Sequence, residues 1–410
     1  MLSIFLLYVD KHYYREISNN YNFLFSGSAA AARGILATIA GSVITVVSIA
    51  FSLTIISMQQ ASSQYSPRVL RSFTSNRGNQ IVLGVYISTF TYSILILRSV
   101  RETNDVRADF VPAISTSFAM LLAIICIGLL IYFINHTSNS LLATTVIKRI
   151  HRNLLNQFEK QYPMNDSREH IKKQDTKSMS KMLVDTNIKS ESGGFVLTVD
   201  LSVFKHSVLD DVEVIEVLPR VGEFILSGQE IIQVSSTKKL SEDLQNDIRG
   251  SIVLETERSS INDPLQAIRQ LVDVALKGLS PGVNDVTTAI YCIRFLGDAL
   301  SDLSNRTIPS DVVEIDNVDI DLIIPQPQFK HFVNKAFLEI ILVARENVRV
   351  FNEVIKVLKH IATETKDIVR KKDLAIFVKV LNEIFAESNY IETFHNQISG
   401  DLKSLNSLVS

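Results

Sequence analysis

The feature that most constrains this chain is a set of three apolar runs, none with an ionised side chain: Gly34 to Met58, Gln80 to Leu97 and Val111 to Ile134. A hydrocarbon core about 30 Å thick takes roughly 17 to 25 helical residues, and each run is that long. A helix packed in a soluble core keeps a charged face at 3.6-residue spacing, so uniform apolarity predicts membrane spans instead. Pro112 follows acidic Asp109 at a position where a missing N–H does no harm, which predicts the start of the third helix.

The charges are distributed accordingly. Residues 34 to 134 hold nine charged side chains, six Arg and three acids with no Lys, whereas residues 135 to 410 hold 70. The first block is a membrane domain and the second is soluble protein. A net charge of -2 removes any case for nucleic-acid binding by bulk electrostatics. Cys126 and Cys292 are far apart and have neither a disulfide framework nor zinc spacing.

Met1 to Val9 is apolar but too short to span, and it stops at Asp10-Lys11-His12 without the basic region that precedes a signal-peptide core. It is expected to be the tail of a first transmembrane helix whose earlier part is missing, the alternative being a loose interfacial anchor. Basic residues near the span ends tie, with Arg68, Arg71, Arg77, Lys148, Arg149 and Arg152 on one side and Lys11, Arg15, Arg33, Arg98, Arg101 and Arg107 on the other. Asp10, Glu16, Glu102, Asp105 and Asp109 on the second side tip the balance, weakly, toward a cytoplasmic 59–79 loop and C-terminal part at an inner (plasma) membrane. With no Trp in the chain, anchoring at the interface is expected to fall to Tyr86, Tyr92, Tyr132 and the flanking Arg residues.

At 100° per residue, Gly34, Thr38, Gly41, Ser42, Thr45, Ser48 and Ser52 share a stripe about 120° wide on the first span, interrupted only by Ile49. Two readings are open. Small and hydroxylated residues let helices approach closely and hydrogen-bond across the contact; alternatively, in an oligomer, hydroxyls line a water-filled path. No acid, base or His lies inside a span to serve a proton relay. In the following loop, Ser66 and Pro67 read as the start of a short helix. Arg68 and Arg71 on one face of it, with Arg77 beyond, are expected to sit at anionic headgroups.

Ser140 to Phe158 repeats Leu142, Val146, Ile150 and Leu154 at a spacing of four, a helical stalk, and Lys160 to Gly194 is a polar linker. From Phe195 the period changes to two, with short strands broken at Pro219, Gly222 and Gly228. The pattern is similar to the barrel-sandwich domains that carry lipoyl or biotinyl groups, but no modifiable Lys stands in a tight turn, so a small β-barrel is expected and no cofactor. Ile261 to Pro264 and Val283 to Asp285 each place Asn-Asp before an amphipathic run, joined by the compact turn Gly278 to Val283. Asp263 and Asp285 are expected to cap an angled or antiparallel helix pair. Two helix N-termini also expose N–H groups, so a site for a small anion or partner at Arg258, Asp263, Ser280, Asn284 and Asp285 is the sharper alternative. Residues 311 to 328 are expected to be an extended acidic excursion, and the rest a helical bundle.

The stretches FSLTIISMQQASSQYSPRVLRSFTSNRGNQIVLGVYISTF and DPLQAIRQLVDVALKGLSPGVNDVTTAIYCIRFLG closely resemble the two signature blocks of bacterial predicted membrane proteins called domain of unknown function 2254. The resemblance covers nearly the whole chain. It departs at the N-terminus, where the family has a complete first transmembrane helix, and at Val286, where the family has Pro. It implies architecture and no activity.

The expected fold is therefore a mainly α integral membrane protein with three full transmembrane helices plus a truncated first one, then a cytoplasmic α+β part. Its divisions are a transmembrane domain over 1–139, a stalk and linker over 140–194, a small β-rich domain over 195–250 and a helical bundle over 251–410. No phosphate loop, HExxH or nucleophile elbow is present and the eight His are scattered, so no catalytic, cofactor-binding or metal residue is assigned. The leading functional expectation is a homo-oligomeric, channel-like protein in the lipid bilayer, regulated by its cytoplasmic part. The alternative is a membrane-anchored sensor or scaffold for a small anion or protein.

Overall fold

The computed structural model describes residues 2–20, 28–64, 77–100, 111–140, 142–164, 183–206, 211–258, 263–315 and 318–409. They form two compact units, Met1–Thr145 and Val146–Ser410.

The first unit contains α1 (Leu2–Asn20), α2 (Ala29–Gln64), α3 (Arg77–Ser99) and α4 (Ala113–Ser140). Among the described residues, three segments are long and apolar enough to cross a membrane, Ala29–Ser62, Gly78–Ser99 and Ala113–Ser140. Each contains most of one run found in the sequence. Arg33 at the start of α2 donates to the Val100 carbonyl just past α3, at 3.1 Å. The Tyr86 hydroxyl donates to the Cys126 carbonyl at 3.3 Å and the Tyr92 hydroxyl to the Ser115 carbonyl at 2.9 Å. Successive spans therefore run up, down and up, which puts the end of α2, the start of α3 and the end of α4 on one side.

Two expectations change here. Tyr86 is fully buried and Tyr92 nearly so, their hydroxyls satisfied inside the bundle, so neither anchors at the interface; only Tyr132 of the three is exposed. A buried phenol needs a partner, and the facing carbonyls of α4 supply one. Asp10 does more than end an apolar stretch. Its carboxylate accepts from the N–H groups of Ile114 and Ser115, both at 2.9 Å, and from the Ser115 hydroxyl at 2.5 Å. It thus caps α4 from α1 and satisfies orphan donors of the first turn. Asp109, the expected neighbour of that helix start, lies outside the described residues.

The second unit opens with most of α5 (Ala143–Gln161), which buries Val146, Ile147, Ile150, Leu154 and Phe158 on one face. The strands are β1 (Val184–Lys189), β2 (Gly194–Val199), β3 (Val212–Val217), β4 (Phe224–Ile225), β5 (Glu230–Ser236), β6 (Ile252–Glu255), β7 (Val312–Ile315) and β8 (Val318–Ile323), with α6 (Leu201–His206) and α7 (Glu242–Gly250) between them. The breaks after β3 and β4 fall at Pro219, Gly222 and Gly228 as the sequence implies, both glycines having φ above +80°. The barrel does not form. Among the described residues there are instead a five-stranded sheet, β1-β5-β3-β8-β7, and a three-stranded sheet, β4-β2-β6. The reason is the acidic stretch 311–328. It folds back as the β7–β8 hairpin and joins the free edge of β3 in parallel, which leaves β1 and β7 as open edges. Ile215, Val217, Ile232, Val234 and Leu322 fill the core beneath.

The helices that follow are α8 (Pro264–Leu279), α9 (Val286–Ser304), α10 (Phe329–Val343), α11 (Val348–Glu364), α12 (Ile368–Ala386) and α13 (Glu392–Val409). Their apolar faces bury Leu271, Leu296, Phe332, Phe337, Phe351 and Leu358 completely. α9 and α11 cross at Gly297, where an added Cβ would lie 2.1 Å from Val357 Cγ1, so only glycine fits this approach.

Candidate functional site

The stripe on α2 is turned away from its own bundle. Ala32, Leu36, Val43 and Ala50 are buried toward α3 and α4, whereas Gly34, Thr38, Gly41, Ser42, Thr45, Ser48 and Ser52 are all exposed. At 100° per residue the two sets lie about 180° apart. A Cβ at Gly34 or Gly41 would meet nothing within 4 Å, so no neighbour in this chain requires glycine there. The hydroxyls of Thr38, Thr45, Ser48 and Ser52 donate to the carbonyls four residues back at 2.8 to 3.0 Å. This pairing removes the cost of an unsatisfied donor in hydrocarbon and leaves lone pairs facing outward. From Gly34 to Ser52 the stripe rises about 27 Å, close to the thickness of a hydrocarbon core.

The second candidate group divides in two. Asp263 accepts from the Gln266 N–H at 3.2 Å and caps α8. Asp285 accepts from the Thr288 N–H at 3.0 Å and its hydroxyl at 2.6 Å and caps α9. Arg258 binds Asp263 Oδ2 through both Nε and Nη2, at 2.6 Å each. Burial pushes the Asp263 carboxyl up, while Arg258 and the first-turn N–H groups pull it down. Exposed Asp285 is held below its usual range by Thr288. Both helix N-termini are thus occupied by the chain's own carboxylates. Ser280 donates to the Lys277 carbonyl at 2.7 Å, and Asn284 takes a positive φ of 48° in the turn. The sixteen residues of α8 separate the two ends by about 24 Å, so Arg258 and Asp263 share no site with Ser280, Asn284 and Asp285.

What gathers at Arg258 is different. Gly222 lies directly on the Arg258–Asp263 pair, since a Cβ there would be 2.2 Å from Asp263 Oδ2. On α8, Arg269 pairs with Asp273 at 2.7 Å and with Glu339 of α10. Half-buried Lys335, one turn before Glu339, is held below the ordinary lysine range by burial and then by Arg269 and Arg258, against the opposing pull of Glu339 and Asp273. Sequence reasoning found Asp263 by its local cap pattern and Arg258 by its place just upstream, as a countercharge. It missed Arg269 and Lys335, whose only signal was a helical spacing shared with any solvated face. A groove of about 310 Å³ between α9 and α11 is lined by Arg294, Asp298, Glu353, Lys356 and His360, with Arg294 paired to Glu353 at 2.6 Å. Arg68 and Arg71 lie outside the described residues, and Arg77 is described only by its backbone at the start of α3.

The family model described as "Predicted membrane protein (DUF2254)" matches residues 1–360. The chain belongs to this family. An uncharacterized protein of Mycobacterium bovis and two of Mycobacterium tuberculosis are each 27% identical over 374 residues, which is 89% of this chain and 71% of the relative. No solved structure matches the chain. Family membership agrees with the three apolar helices of the first unit: this is a membrane protein, associated with the lipid bilayer.

Proposed function

We propose that this family member is an oligomeric inner-membrane protein whose copies meet through the outward stripe of α2 and enclose a permeation path, with the soluble unit in the cytoplasm as its regulator. One observation carries the reading: the seven stripe residues are exposed on the face of α2 opposite the one that packs. A face that met only lipid would gain nothing from glycines and hydroxyls, whereas helix contact and ion hydration both use them. The cytoplasmic assignment is supported by the up-down-up order, which puts the end of α2 and the start of α3, between which Arg68 and Arg71 fall in the sequence, on the same side as the end of α4.

Both native cysteines are buried, so Ser42→Cys introduces the one accessible thiol among the described residues. Oxidation should then link copies into dimers in membranes. Liposomes containing the purified protein should conduct ions, and Ser42→Leu or Thr45→Leu should reduce that current. Monomers in detergent together with no conductance at any voltage would refute the proposal. The sensor or scaffold alternative has less to rest on, because its helix-cap residues are occupied by their own carboxylates and lie at opposite ends of α8.

A further inference from the structure

The soluble unit holds a concentration of half-buried charge that neither its apolar core nor the α2 stripe explains. α8 and α10 pack side by side. His331, Lys335 and Glu339 recur every fourth residue on α10; Glu339 pairs with Arg269 of α8, and Arg269 and Asp273 of α8 act on Lys335. The carboxylates are already used: Asp263 by Arg258, and Asp273 and Glu339 by Arg269. Lys335 is left over. It is half-buried, yet among the described residues its ammonium makes no hydrogen bond, and its charged neighbours are Arg269, Glu339, Arg258 and Asp273, the two carboxylates being those already held by Arg269. One turn earlier His331 accepts from the Gln328 N–H at 2.9 Å, and its proton affinity is lowered by burial and then by the positive charges of Arg220 and Lys330, against the pull of Asp373. The Arg220 guanidinium also has no ion-pair partner among the described residues. Two residues on, Gly222 takes a φ of 86° and rests on the Arg258–Asp263 pair, and the Arg220 charge acts on His331.

Partly buried cations such as Lys335 and Arg220, with no ion pair of their own among the described residues, are costly to maintain unless something anionic visits them. We propose that the seam formed by Arg220, Arg258, Arg269, His331 and Lys335 binds a small oxyanion of the phosphate class, with Lys335 as its central contact. The two unspent charges, on Lys335 and Arg220, match the charge of about −2 on a phosphate monoester. Guanidinium forks and a flexible ammonium are also the groups that bind phosphate oxygens well. This site is independent of the α2 reading and survives its failure.

The test uses the full chain in detergent micelles, with inorganic phosphate and glycerol 3-phosphate as probes and chloride at equal ionic strength as control. Calorimetric titration should show saturable binding of at least one probe, with a rise in melting temperature that chloride does not reproduce. Lys335→Gln should weaken binding at least about tenfold, the loss of one charge-assisted hydrogen bond. Arg220→Gln, on a separate element, should weaken it too, while Lys356→Gln on α11 leaves it unchanged. Tighter binding of phosphate or of its ester identifies a free or an esterified source, and both support the site. The proposal is overturned by no saturable binding to the native chain, or by equal binding to folded Lys335→Gln and Arg220→Gln; the seam is then a structural ion network.

Discussion

Gly297→Ala tests how tightly the helical part is built. The new Cβ would sit 2.1 Å from Val357 Cγ1 and 3.2 Å from Val357 Cβ and Cγ2. Val357 cannot easily turn aside, because a β-branched side chain in a helix has one strongly preferred rotamer. α9 and α11 must separate or strain, an overpacking cost of about 1–3 kcal/mol. The better helix propensity of alanine offsets up to about 1 kcal/mol of it. A net loss of about 1–2 kcal/mol corresponds to a fall of roughly 2–8 °C in a unit of this size. The chain supplies its own probe, since each unit has one buried free cysteine, Cys126 in the first and Cys292 in the second. In a Cys126→Ser background, a thiol-reactive dye reports unfolding at Cys292, on the same helix as Gly297. Val357→Ala should destabilise by itself through the cavity it leaves, about 1–3 kcal/mol. In that background, however, Gly297→Ala should cost almost nothing. Equal cost of Gly297→Ala in both backgrounds, with a coupling below about 0.5 kcal/mol, would refute the steric argument.

Asp10→Ala removes the acceptor for two N–H groups and a hydroxyl at the start of α4, so it should destabilise the first unit by about 2–4 kcal/mol. Dye labelling of Cys126 at lower temperature, with Cys292 unaffected, would show it. Burial holds His151 and His331 below the ordinary value of 6.5, in His151 against the opposing pull of Asp298. The unfolded chain therefore takes up these protons first, so the stability the two groups contribute is present above about pH 6.5 and lost as pH falls. The Cys292 transition should drop between pH 7.5 and 5.5. His151→Phe, which keeps a ring against Phe295, should flatten the drop; an unchanged slope would exclude His151 as a source.

The spans were legible because a bilayer suppresses charge over whole helices, a signal that needs no knowledge of neighbours. The caps of α8 and α9 were legible for a related reason, since Asp263 and Asp285 act on N–H groups three residues away. Long-range pairing was not. Asp10 meets its partners 104 and 105 positions along the chain, and β8 joins β3 across roughly 100 residues, so the strand pattern alone suggested a barrel where the chain forms two open sheets. Of the candidate sites, the α2 stripe was visible as a periodicity, but its outward direction depended on which side α3 and α4 took. The charged seam needed α8 and α10 placed together before Lys335 stood out.

The opposed faces of α2 divide its mutations into two classes that genetics can separate. Bulky or charged changes at Ala32, Leu36, Val43 or Ala50 act on a single copy: they lower its abundance and are recessive, because a misfolded chain is removed. Changes at Gly41, Ser42 or Thr45 leave the packing of each copy intact, so under the proposed oligomer they would be carried, in a mixed population, into assemblies with normal chains. The proposed contact predicts that such alleles are dominant, and co-expression with the native chain would separate the two classes without any knowledge of the activity.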